Sequence, residues 1–305
     1  MKIEGIHHVT NITGDAPGNV DFYVRVLGLR MVKKTVNQDD PTVYHLFYAD
    51  ENGSAGSDIT FFEYPGAPRG RAGDGMVHTT VFRVGSEDSL DFWAERLGEE
   101  GIAAERDGRS LRFGDPEGLG LELMVTDAPD EPLTAEAPGI PPEHRIQGFE
   151  GVRAYSSAPE NSRGLLEGLG FEGQGEGTWS AIGDTRRGWI GYDPPPAERG
   201  LSGAGTVHHV AWASEMDDHE AWRQRAIDAG MHPTPVIDRF WFRSIYFREP
   251  SGVLFEIATL GPGFTTDEPL DSLGENLTLP PNFEQYRDQL ERQLTPLPDV
   301  RTLRR

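Results

Sequence analysis

The sequence predicts an α+β protein of two domains, each built from two βαβββ modules, with a helix near the end of the chain. Three observations predict this fold. The chain has 305 residues, enough for two domains that each bury a core. One pattern of a strand, a helix that ends at glycine and further strands occurs four times. A linker rich in proline and acidic residues, residues 129–146, separates the four copies into two pairs.

Each module is predicted to open and to close with a short strand. The opening strands begin at Gly5, Gly75, Gly148 and Gly205. The closing strands lie at about residues 58–64, 118–124, 189–192 and 251–257. The modules then span about residues 1–66, 75–128, 147–195 and 204–262. The first pair forms a predicted N-terminal domain, residues 1–128, and the second pair a C-terminal domain, residues 147–262.

One amphipathic helix is predicted inside each module. These helices lie near residues 17–27, 87–98, 159–169 and 217–229. In the first of them Phe22, Tyr23, Val26 and Leu27 share helical spacing, and Gly28 follows as the residue that ends the helix. The same arrangement recurs in the other modules, and it predicts a helix between strands in every copy.

Residues 263–305 follow the fourth module and are predicted to form a loop and a helix. The loop is rich in glycine, proline and acidic residues. The helix lies near residues 282–294, where the apolar residues share one stripe. These residues are Phe283, Tyr286, Leu290 and Leu294.

The composition excludes several functions. With 50 acidic and 28 basic residues the net charge is −22, which argues against binding to nucleic acid. The absence of cysteine excludes disulfides, thiolate nucleophiles and cysteine-bound metals, so any metal must bind imidazole and carboxylate. No apolar segment resembles a secretion signal or a membrane span. We therefore expect a cytoplasmic protein without membrane or nucleic-acid partners.

The basic residues are almost all arginine. Only three lysines occur, at positions 2, 33 and 34, which leaves 25 arginines. Many carboxylates with few lysines are typical of proteins that stay hydrated in concentrated salt, where screening over ~3 Å at 1 M removes self-repulsion. The acidic excess is spread along the chain. The composition therefore predicts a halophilic protein.

Superposition of the four opening strands identifies candidate metal ligands. The position compared is the second residue of the His-His pair in the opening strand. In modules one to four it is occupied by His8, Thr79, Gly151 and His209. Only the first and last modules therefore offer an imidazole there. Because successive strand residues point to opposite faces, we expect His8 and His209 to point inward. The preceding His7 and His208 are then expected to face elsewhere or to lean over the pocket rim.

The closing strands add carboxylates, at Glu63, Glu122 and Glu256. Two imidazoles and one carboxylate suit a divalent metal that keeps open coordination positions. We predict a metal site of His8, His209 and Glu256. Glu63 aligns with Glu256 by sequence, and if it also coordinates, the site has two histidines and two glutamates. The sequence leaves this choice open.

The four modules resemble the vicinal oxygen chelate superfamily, which includes glyoxalase, fosfomycin-resistance proteins and extradiol ring-cleaving dioxygenases. This resemblance implies open mixed β-barrels with helices outside and a metal in the interior. Four segments are similar to the dioxygenases that cleave hydroquinones. They are Gly5–Thr10, Gly70–Arg71, Val236–Glu256 and Leu279–Pro281.

The resemblance to hydroquinone-type dioxygenases implies Fe(II) on His8, His209 and Glu256, with Mn(II), Ni(II) or Zn(II) as substitutes. It also implies a small aromatic diol and O2 as partners, and we expect a homo-oligomer. The implied catalytic residues are His7, Thr10, His208, Arg239 and Tyr246. Histidine can move the phenol proton, a guanidinium can stabilise an anion, and a phenol can donate a hydrogen bond.

Two other functions stay open from the sequence. A glyoxalase-like lyase or isomerase would use Glu63 as a fourth ligand, whereas the dioxygenase would not. A non-catalytic binding protein of the bleomycin-resistance type would need the cavity and no metal. The number of protein ligands separates the first alternative from the dioxygenase, and purification without metal would favour the second.

Overall fold

The computed structural model describes residues 1–304 and confirms the predicted α+β fold. Within these residues sixteen strands form two eight-stranded mixed sheets. The strands are β1 Ile6–Thr13, β2 Arg30–Val36, β3 Tyr44–Ala49, β4 Asp58–Glu63, β5 Val77–Val84, β6 Ala104–Asp107, β7 Ser110–Gly114, β8 Gly120–Val125, β9 Phe149–Tyr155, β10 Glu172–Gly175, β11 Thr178–Ile182, β12 Arg187–Asp193, β13 Thr206–Ser214, β14 Ile237–Asp238, β15 Phe242–Arg248 and β16 Leu254–Pro262.

Short helices follow the opening strands, as predicted. The α-helices are α1 Ala16–Val20, α2 Glu87–Glu99, α3 Arg163–Gly168, α4 His219–Asp228, α5 Arg287–Gln293 and α6 Val300–Leu303. Short 3-10 helices occur at Pro142–His144, Pro159–Ser162, Met216–Asp218, Phe264–Thr266, Leu270–Ser272 and Glu284–Tyr286. The predicted terminal helix corresponds to α5 with the turn before it, and α6 was not predicted. None of the helices within residues 1–304 is long and apolar enough to cross a membrane.

The first helix changes its hydrogen-bond pattern before it ends. A π-helical turn at Asp21–Val26 continues α1, and the Leu27 N–H donates to the Phe22 carbonyl at 2.9 Å. Gly28 then has a φ of 70°, and a Cβ there would lie 2.4 Å from Ile140 Cδ1. The position therefore requires glycine, both for its conformation and for the close approach of the linker.

Each sheet combines modules from both sides of the linker. The strand order of one sheet is β14-β15-β16-β13-β1-β4-β3-β2, so it contains modules one and four. The order of the other is β10-β11-β12-β9-β5-β8-β7-β6, so it contains modules two and three. In the first sheet β1 pairs antiparallel with β13, which brings the opening strands of the first and last modules together. The sheets thus divide the chain differently from the predicted domains, whose bounds stay a prediction.

Two apolar clusters hold the sheets. The larger one runs through both sheets and contains the fully buried Trp93, Trp212 and Trp222. The smaller one lies beside the hairpin of β14 and β15 and includes Trp241 and Phe242. This smaller cluster forms the wall of the site described below.

Candidate metal centre

The pairing of β1 with β13 contains two bulges. His7 is the extra residue in β1 and His208 is the extra residue in β13. A bulge interrupts the alternation of side chains and redirects them locally. His7 Nδ1 consequently lies 2.9 Å from His8 Nδ1. His208 Nδ1 lies 2.7 Å from His209 Nδ1. Of the two expected placements for these neighbours, facing elsewhere or leaning over the pocket rim, the first is therefore not observed, because neither ring faces away from its ligand histidine.

Three predicted ligands converge between the first and last modules. His8 Nε2 lies 3.3 Å from His209 Nε2 and 3.2 Å from Glu256 Oε2. His209 Nε2 lies 2.9 Å from the same carboxylate oxygen. All three residues are buried, and their ligand atoms lie within 4.8 Å of one another. Among residues 1–304 this is the group of at least three histidine or acidic side chains that could hold a metal ion.

The donor set fits a divalent metal. Glu256 Oε2 is buried and has no hydrogen-bond partner within residues 1–304, while Ser244 Oγ donates to the other oxygen, Oε1. An unpartnered buried carboxylate oxygen is costly unless a cation or donor satisfies it. Two imidazole nitrogens and one carboxylate oxygen are also the donors of sites that keep open coordination positions. The geometry thus satisfies the chemical requirements of such a metal.

The three candidate ligands, His8, His209 and Glu256, are called the triad below. Hydrogen bonds to the Nδ1 atoms of His8 and His209 determine which ring nitrogen of each carries no proton. If Nε2 of His8 binds a metal, its Nδ1 carries the proton and donates to His7 Nδ1. His7 must then carry its own proton on Nε2, which lies 3.1 Å from the Thr259 carbonyl oxygen. The same reasoning puts a proton on Nε2 of His208, which accepts from His209. Each ligand therefore has a histidine that orients it.

Burial determines the charge of these groups. It lowers the pKa of His7 to about 3 and the pKa of His208 to about 4, and the neighbouring histidine of each adds to the shift. Burial also lowers the pKa of His209. For Glu256, burial would raise the pKa, but His8 and His209 hold it well below its usual range. The site therefore presents an ionised Glu256 carboxylate beside a His209 imidazole for which burial favours the neutral form.

Arg239 and Tyr246 line a cavity above the triad, as predicted for catalytic residues. Arg239 Nε donates to Tyr246 Oη at 3.3 Å, and the guanidinium carbon lies 5.4 Å from the centre of the tyrosine ring. Two further nitrogens of Arg239 donate to the Asp39 carboxylate at 3.0 and 2.8 Å. Asp39, which the sequence did not indicate, thus fixes the guanidinium over the triad.

The remaining predicted residue, Thr10, lies two hydrogen bonds behind the cavity wall. Its Oγ1 accepts from Thr60 Oγ1 at 2.8 Å, and Thr60 Oγ1 lies 2.9 Å from His45 Nε2. His45 lines the cavity and was not predicted. A single histidine in a strand rich in aromatic residues gives no sequence signal, because its partner comes from another strand.

The cavity is narrow and mostly aromatic. The aromatic residues that line it are His45, Phe47, Phe62, Trp241, Phe242 and Tyr246. Its water-accessible space is about 40 Å³, which is small beside the ~300 Å³ at the low end for ligand pockets. At the mouth, Gln38 Nε2 donates to the Arg239 carbonyl at 2.8 Å. The loop of Gln38 and Asp39 therefore covers the entrance.

Trp241 is held in the wall by a buried lysine. Lys33 Nζ lies 2.9 Å from Asp267 Oδ1, and it also bonds the Glu268 carboxylate. Asp267 Oδ1 accepts from Trp241 Nε1 at 2.8 Å, and Lys33 Nζ lies 5.1 Å from the centre of the indole ring. The adjacent Phe240 has a φ of 72°, a left-handed conformation that is strained for a phenylalanine. The hairpin thus holds both Arg239 and Trp241 in a constrained turn.

Glu63 does not join the triad. Its Oε1 accepts from the Ala16 N–H at 3.4 Å, at the start of α1. In the parallel ladder of β1 and β4, Glu63 pairs with Thr13, whereas Thr60 pairs with Thr10. In the fourth module Glu256 pairs with Ala211, the residue two places after His209. The position equivalent to Glu256 is therefore Thr60, and the sequence alignment of Glu63 with Glu256 is wrong.

The second sheet contains a position equivalent to the metal site, with a glutamate but without the two ligand histidines. Glu122 there accepts from Ser110 Oγ at 2.7 Å and from Arg153 Nε at 2.8 Å. Gly151 stands where the fourth module has its ligand histidine, and a Cβ there would lie 2.3 Å from the Trp189 ring. A guanidinium and an indole thus fill this space.

His78 also lies in the second sheet. Its Nε2 lies 3.0 Å from Asp193 Oδ2, and its ring stacks on Tyr155 at 3.9 Å. Its Nδ1 lies 2.9 Å from Thr79 Oγ1, so both ring nitrogens have a partner within the second sheet. The position serves below as a control for the ligand histidines.

Comparison with known proteins identifies the family. The model of the Glyoxalase/Bleomycin resistance protein/Dioxygenase superfamily matches residues 5–123 and 144–257. The chain belongs to this superfamily. The predicted resemblance is therefore confirmed, and the matched residues include both bulged opening strands and the closing-strand carboxylate of the triad.

Relatives that align over nearly the whole of both chains indicate the enzyme class within this superfamily. A Bacillus subtilis (strain 168) protein named as ring-cleaving dioxygenase MhqO is 42% identical over 312 residues, which cover 99% of both chains. Chlorohydroquinone/hydroquinone 1,2-dioxygenase of Sphingobium indicum is 31% identical and covers 96% of both chains. These matches confirm the predicted enzyme class, an extradiol-type ring-cleaving dioxygenase.

Solved structures agree with this placement. The crystal structure of a Bacillus subtilis protein described as a dioxygenase superimposes with a TM-score of 0.90 at 40% identity, and the match covers 97% of this chain and 98% of that one. Glyoxalase I from Zea mays has a TM-score of 0.57 at 15% identity, with 84% and 92% covered. The latter similarity shows the fold alone.

Proposed function

We propose that this superfamily member is an Fe(II)-dependent dioxygenase that cleaves the ring of hydroquinone-type aromatic diols with O2. One observation carries the proposal: the orphaned Oε2 of Glu256 faces the Nε2 atoms of His8 and His209 across the junction of the first and last modules. The hydroquinone 1,2-dioxygenase of Sphingobium indicum supports the choice of substrate class. Both atoms of O2 enter the product, so hydroquinone gains two oxygen atoms, loses no hydrogen and gives a 4-hydroxymuconic semialdehyde.

His8, His209 and Glu256 would hold the metal, which when bound supplies a Lewis acid and an electron relay between the diol and O2. Three protein ligands converge among residues 1–304, which would leave coordination positions for both reactants. Ser244 donates to Glu256 Oε1 and keeps Oε2 directed at the imidazoles. The carboxylate stays ionised because the two imidazoles hold its pKa well below its usual range, against the effect of burial.

Arg239 and Tyr246 stabilise negative charge on the substrate. The guanidinium is permanently charged, and Asp39 fixes its plane from the side away from the tyrosine. Burial raises the pKa of Tyr246 above its usual value, so its phenol keeps a proton to donate. A phenolate oxygen that approaches the triad therefore meets two donors held in place before it arrives.

Proton transfer falls to the histidines beside the ligands. His208 accepts from His209 at Nδ1 and therefore carries a proton at Nε2. The His208 side chain is exposed, whereas His7 is buried and uses its Nε2 on the Thr259 carbonyl. We assign to His208 the delivery of a proton to the substrate oxygen, and to His7 the orientation of His8.

The aromatic wall suits a planar ring. Phe62 and Phe242 approach from two sides, and Trp241 is fixed by its bond to Asp267. Because the cavity is narrow, a diol enters only when the loop of Gln38 and Asp39 moves. The closed loop then excludes water from the reaction.

We also propose a cytoplasmic, salt-adapted enzyme. The net charge of −22 and the presence of only three lysines support salt adaptation. Screening at molar salt reduces the repulsion among carboxylates, so activity and stability should rise from low to molar salt.

The test is oxygen uptake by protein reconstituted with Fe(II) under anaerobic conditions. Hydroquinone and methylhydroquinone should each consume one O2 per ring cleaved, and catechol should react much more slowly, in low and in molar salt. His8→Ala should abolish uptake. His78→Ala, which changes a histidine at the equivalent bulge of the second sheet, should retain it. Oxygen uptake with catechol but not with the two hydroquinones would refute the proposal. The absence of oxygen uptake with all three diols, although iron is bound, would also refute it.

A further inference from the structure

His45 lies in the cavity wall, away from the residues already assigned. It stands on β3, and its ring packs between Phe47 at 3.9 Å and Phe62 at 4.4 Å, measured between ring centres. Phe62 in turn lies 6.5 Å from the His209 ring. Phe62 therefore contacts both His45 and the metal ligand. Both histidines line the same cavity.

The hydrogen bonds behind His45 determine its tautomer. Thr60 Oγ1 donates its only hydrogen to Thr10 Oγ1 at 2.8 Å. The 2.9 Å contact between Thr60 Oγ1 and His45 Nε2 must then run the other way, with the imidazole N–H as donor. A neutral imidazole that carries its proton on Nε2 has a bare Nδ1. Burial lowers the pKa of His45 well below its usual value, which keeps the ring neutral.

The bare nitrogen is an acceptor without a partner in the protein. Nδ1 of His45 makes no hydrogen bond to residues 1–304, and the residue lines the cavity. Arg239 and Tyr246 are donors in the same cavity as the triad. Asn37, Gln38 and Asp39 also line the cavity, but Asn37 Oδ1 accepts from the Asp39 N–H and the Asp39 carboxylate is paired with Arg239. His45 Nδ1 is thus an acceptor on the aromatic wall of the cavity, across Phe62 from His209. An acceptor binds a substituent that carries a hydrogen.

We propose that His45 Nδ1 accepts a hydrogen bond from the second hydroxyl of a para-diol and so selects this substrate class. The proposal rests on the proposed function, which places the first hydroxyl at the triad. The hydroxyls of a para-diol lie at opposite ends of one ring, so one can reach the triad while the other reaches His45. Catechol has adjacent hydroxyls and leaves His45 unpaired. Thr60 is a positioning residue, because it acts only through the tautomer of His45.

Binding to the zinc-loaded protein tests the selection without turnover. Calorimetry compares hydroquinone with 4-methoxyphenol, in which a methyl group replaces the hydrogen on the distal oxygen. Wild-type protein should prefer hydroquinone about tenfold, the magnitude of one buried hydrogen bond. His45→Phe, which keeps an aromatic ring, should bind the two equally. Thr60→Val should lose most of the preference, and Thr60→Ser should restore it.

The tautomer supplies a second, independent readout. In zinc-loaded protein labelled with ¹⁵N-histidine, the His45 signals, assigned by their loss in His45→Phe, should show a protonated Nε2 and a bare Nδ1. Thr60→Val should mix the tautomers and Thr60→Ser should not. A wild-type protein without the preference, an unchanged preference in His45→Phe, or a protonated Nδ1 would overturn the role of His45. Failed oxygen uptake by the iron form with the preference intact would refute the proposed function alone.

Discussion

Glu256 is the residue on which the site depends most. It is fully buried, and burial alone would protonate it. The neighbouring His8 and His209 hold its pKa well below its usual range, so the carboxylate is ionised and lies within reach of a cation that the two imidazoles would also bind. Ser244 holds the second oxygen. The ligand geometry is therefore built by four side chains from β1, β13 and the β15–β16 hairpin.

Replacement of Tyr246 by phenylalanine separates charge stabilisation from metal binding. The variant loses the phenol that faces the substrate and keeps the ring that packs 5.8 Å from His209. We expect kcat to fall by about 10²-fold, with an unchanged metal content. Tyr155→Phe, on the ring that stacks with His78 in the second sheet, should leave both quantities unchanged. Steady-state oxygen uptake measures kcat, and metal analysis measures the metal content. A normal kcat in Tyr246→Phe would show that Tyr246 has no part in the mechanism.

The histidines of the triad could be predicted because the repeat supplied an internal comparison. Positions equivalent to His8 and His209 are Thr79 and Gly151, so the retained imidazoles were visible without structure. His45 could not be predicted in this way. Its role depends on Thr60 of the neighbouring strand, and contacts between strands are not encoded in local spacing.

At the scale of elements, strand register determined what the sequence could and could not predict. Opening strands were aligned correctly because their glycine and histidine patterns repeat. The closing strand of the first module was misaligned by three residues, because its Phe-Glu pattern resembles that of β16 although its register with β1 differs. The bulges at His7 and His208 were also missed, since one inserted residue in a ladder leaves no periodic signal.

The counterpart site of the second sheet predicts a stability effect. Arg153 offsets the buried charge of Glu122: burial would raise the pKa of that carboxyl, but Arg153 and Ser110 hold the pKa below its usual range. Arg153→Met should therefore leave the buried carboxylate with only the longer, 3.4 Å contact to Arg112 and the bond to Ser110, and destabilise the protein by about 3 kcal/mol. Denaturant unfolding measures this free energy.

Two comparisons make that measurement specific. Arg109→Met removes an exposed ion pair with Asp127 and should change the free energy of unfolding by less than ~0.5 kcal/mol. The double variant Arg153→Met, Glu122→Gln should recover part of the loss, because it removes the buried charge. Equal effects of Arg153→Met and Arg109→Met would show that Glu122 needs no compensation.

At the scale of the whole molecule, contacts between the modules link stability to pH. Asp115 of the second module accepts from Tyr23 Oη of the first at 3.2 Å. Burial raises the pKa of Asp115 to about 6 from its ordinary 3.8. Its protonated form is thus favoured in the folded state, and this contribution to stability is lost as the pH rises from about 4 through about 6.

Asp115→Asn tests this linkage. The wild type should lose about 2 kcal/mol relative to the variant between pH 4.5 and pH 7.5, because about a third of the ~3 kcal/mol that a shift of about two pKa units represents is already lost at pH 4.5. Urea unfolding of both proteins at the two pH values measures the difference. Parallel pH profiles would show that Asp115 titrates normally in the folded protein.

The arrangement of the modules was the part of the fold least accessible from sequence. Strand and helix positions, the linker and the terminal helix follow from local patterns. Which modules share a sheet does not, because β1 pairs with β13 although His8 and His209 are 201 residues apart in the chain. The shared chemistry of the two His-His pairs nevertheless predicted that the ends of the chain meet, since one metal needs ligands from both modules.

The metal content of single-histidine variants tests most directly whether the first and last modules bind one shared metal ion. Wild-type protein and His78→Ala, each reconstituted with Fe(II) and desalted without oxygen, should retain one metal ion per chain. His8→Ala and His209→Ala should each lose it, although the two residues lie in the first and last modules. Full metal content in either of these two variants would contradict a shared site.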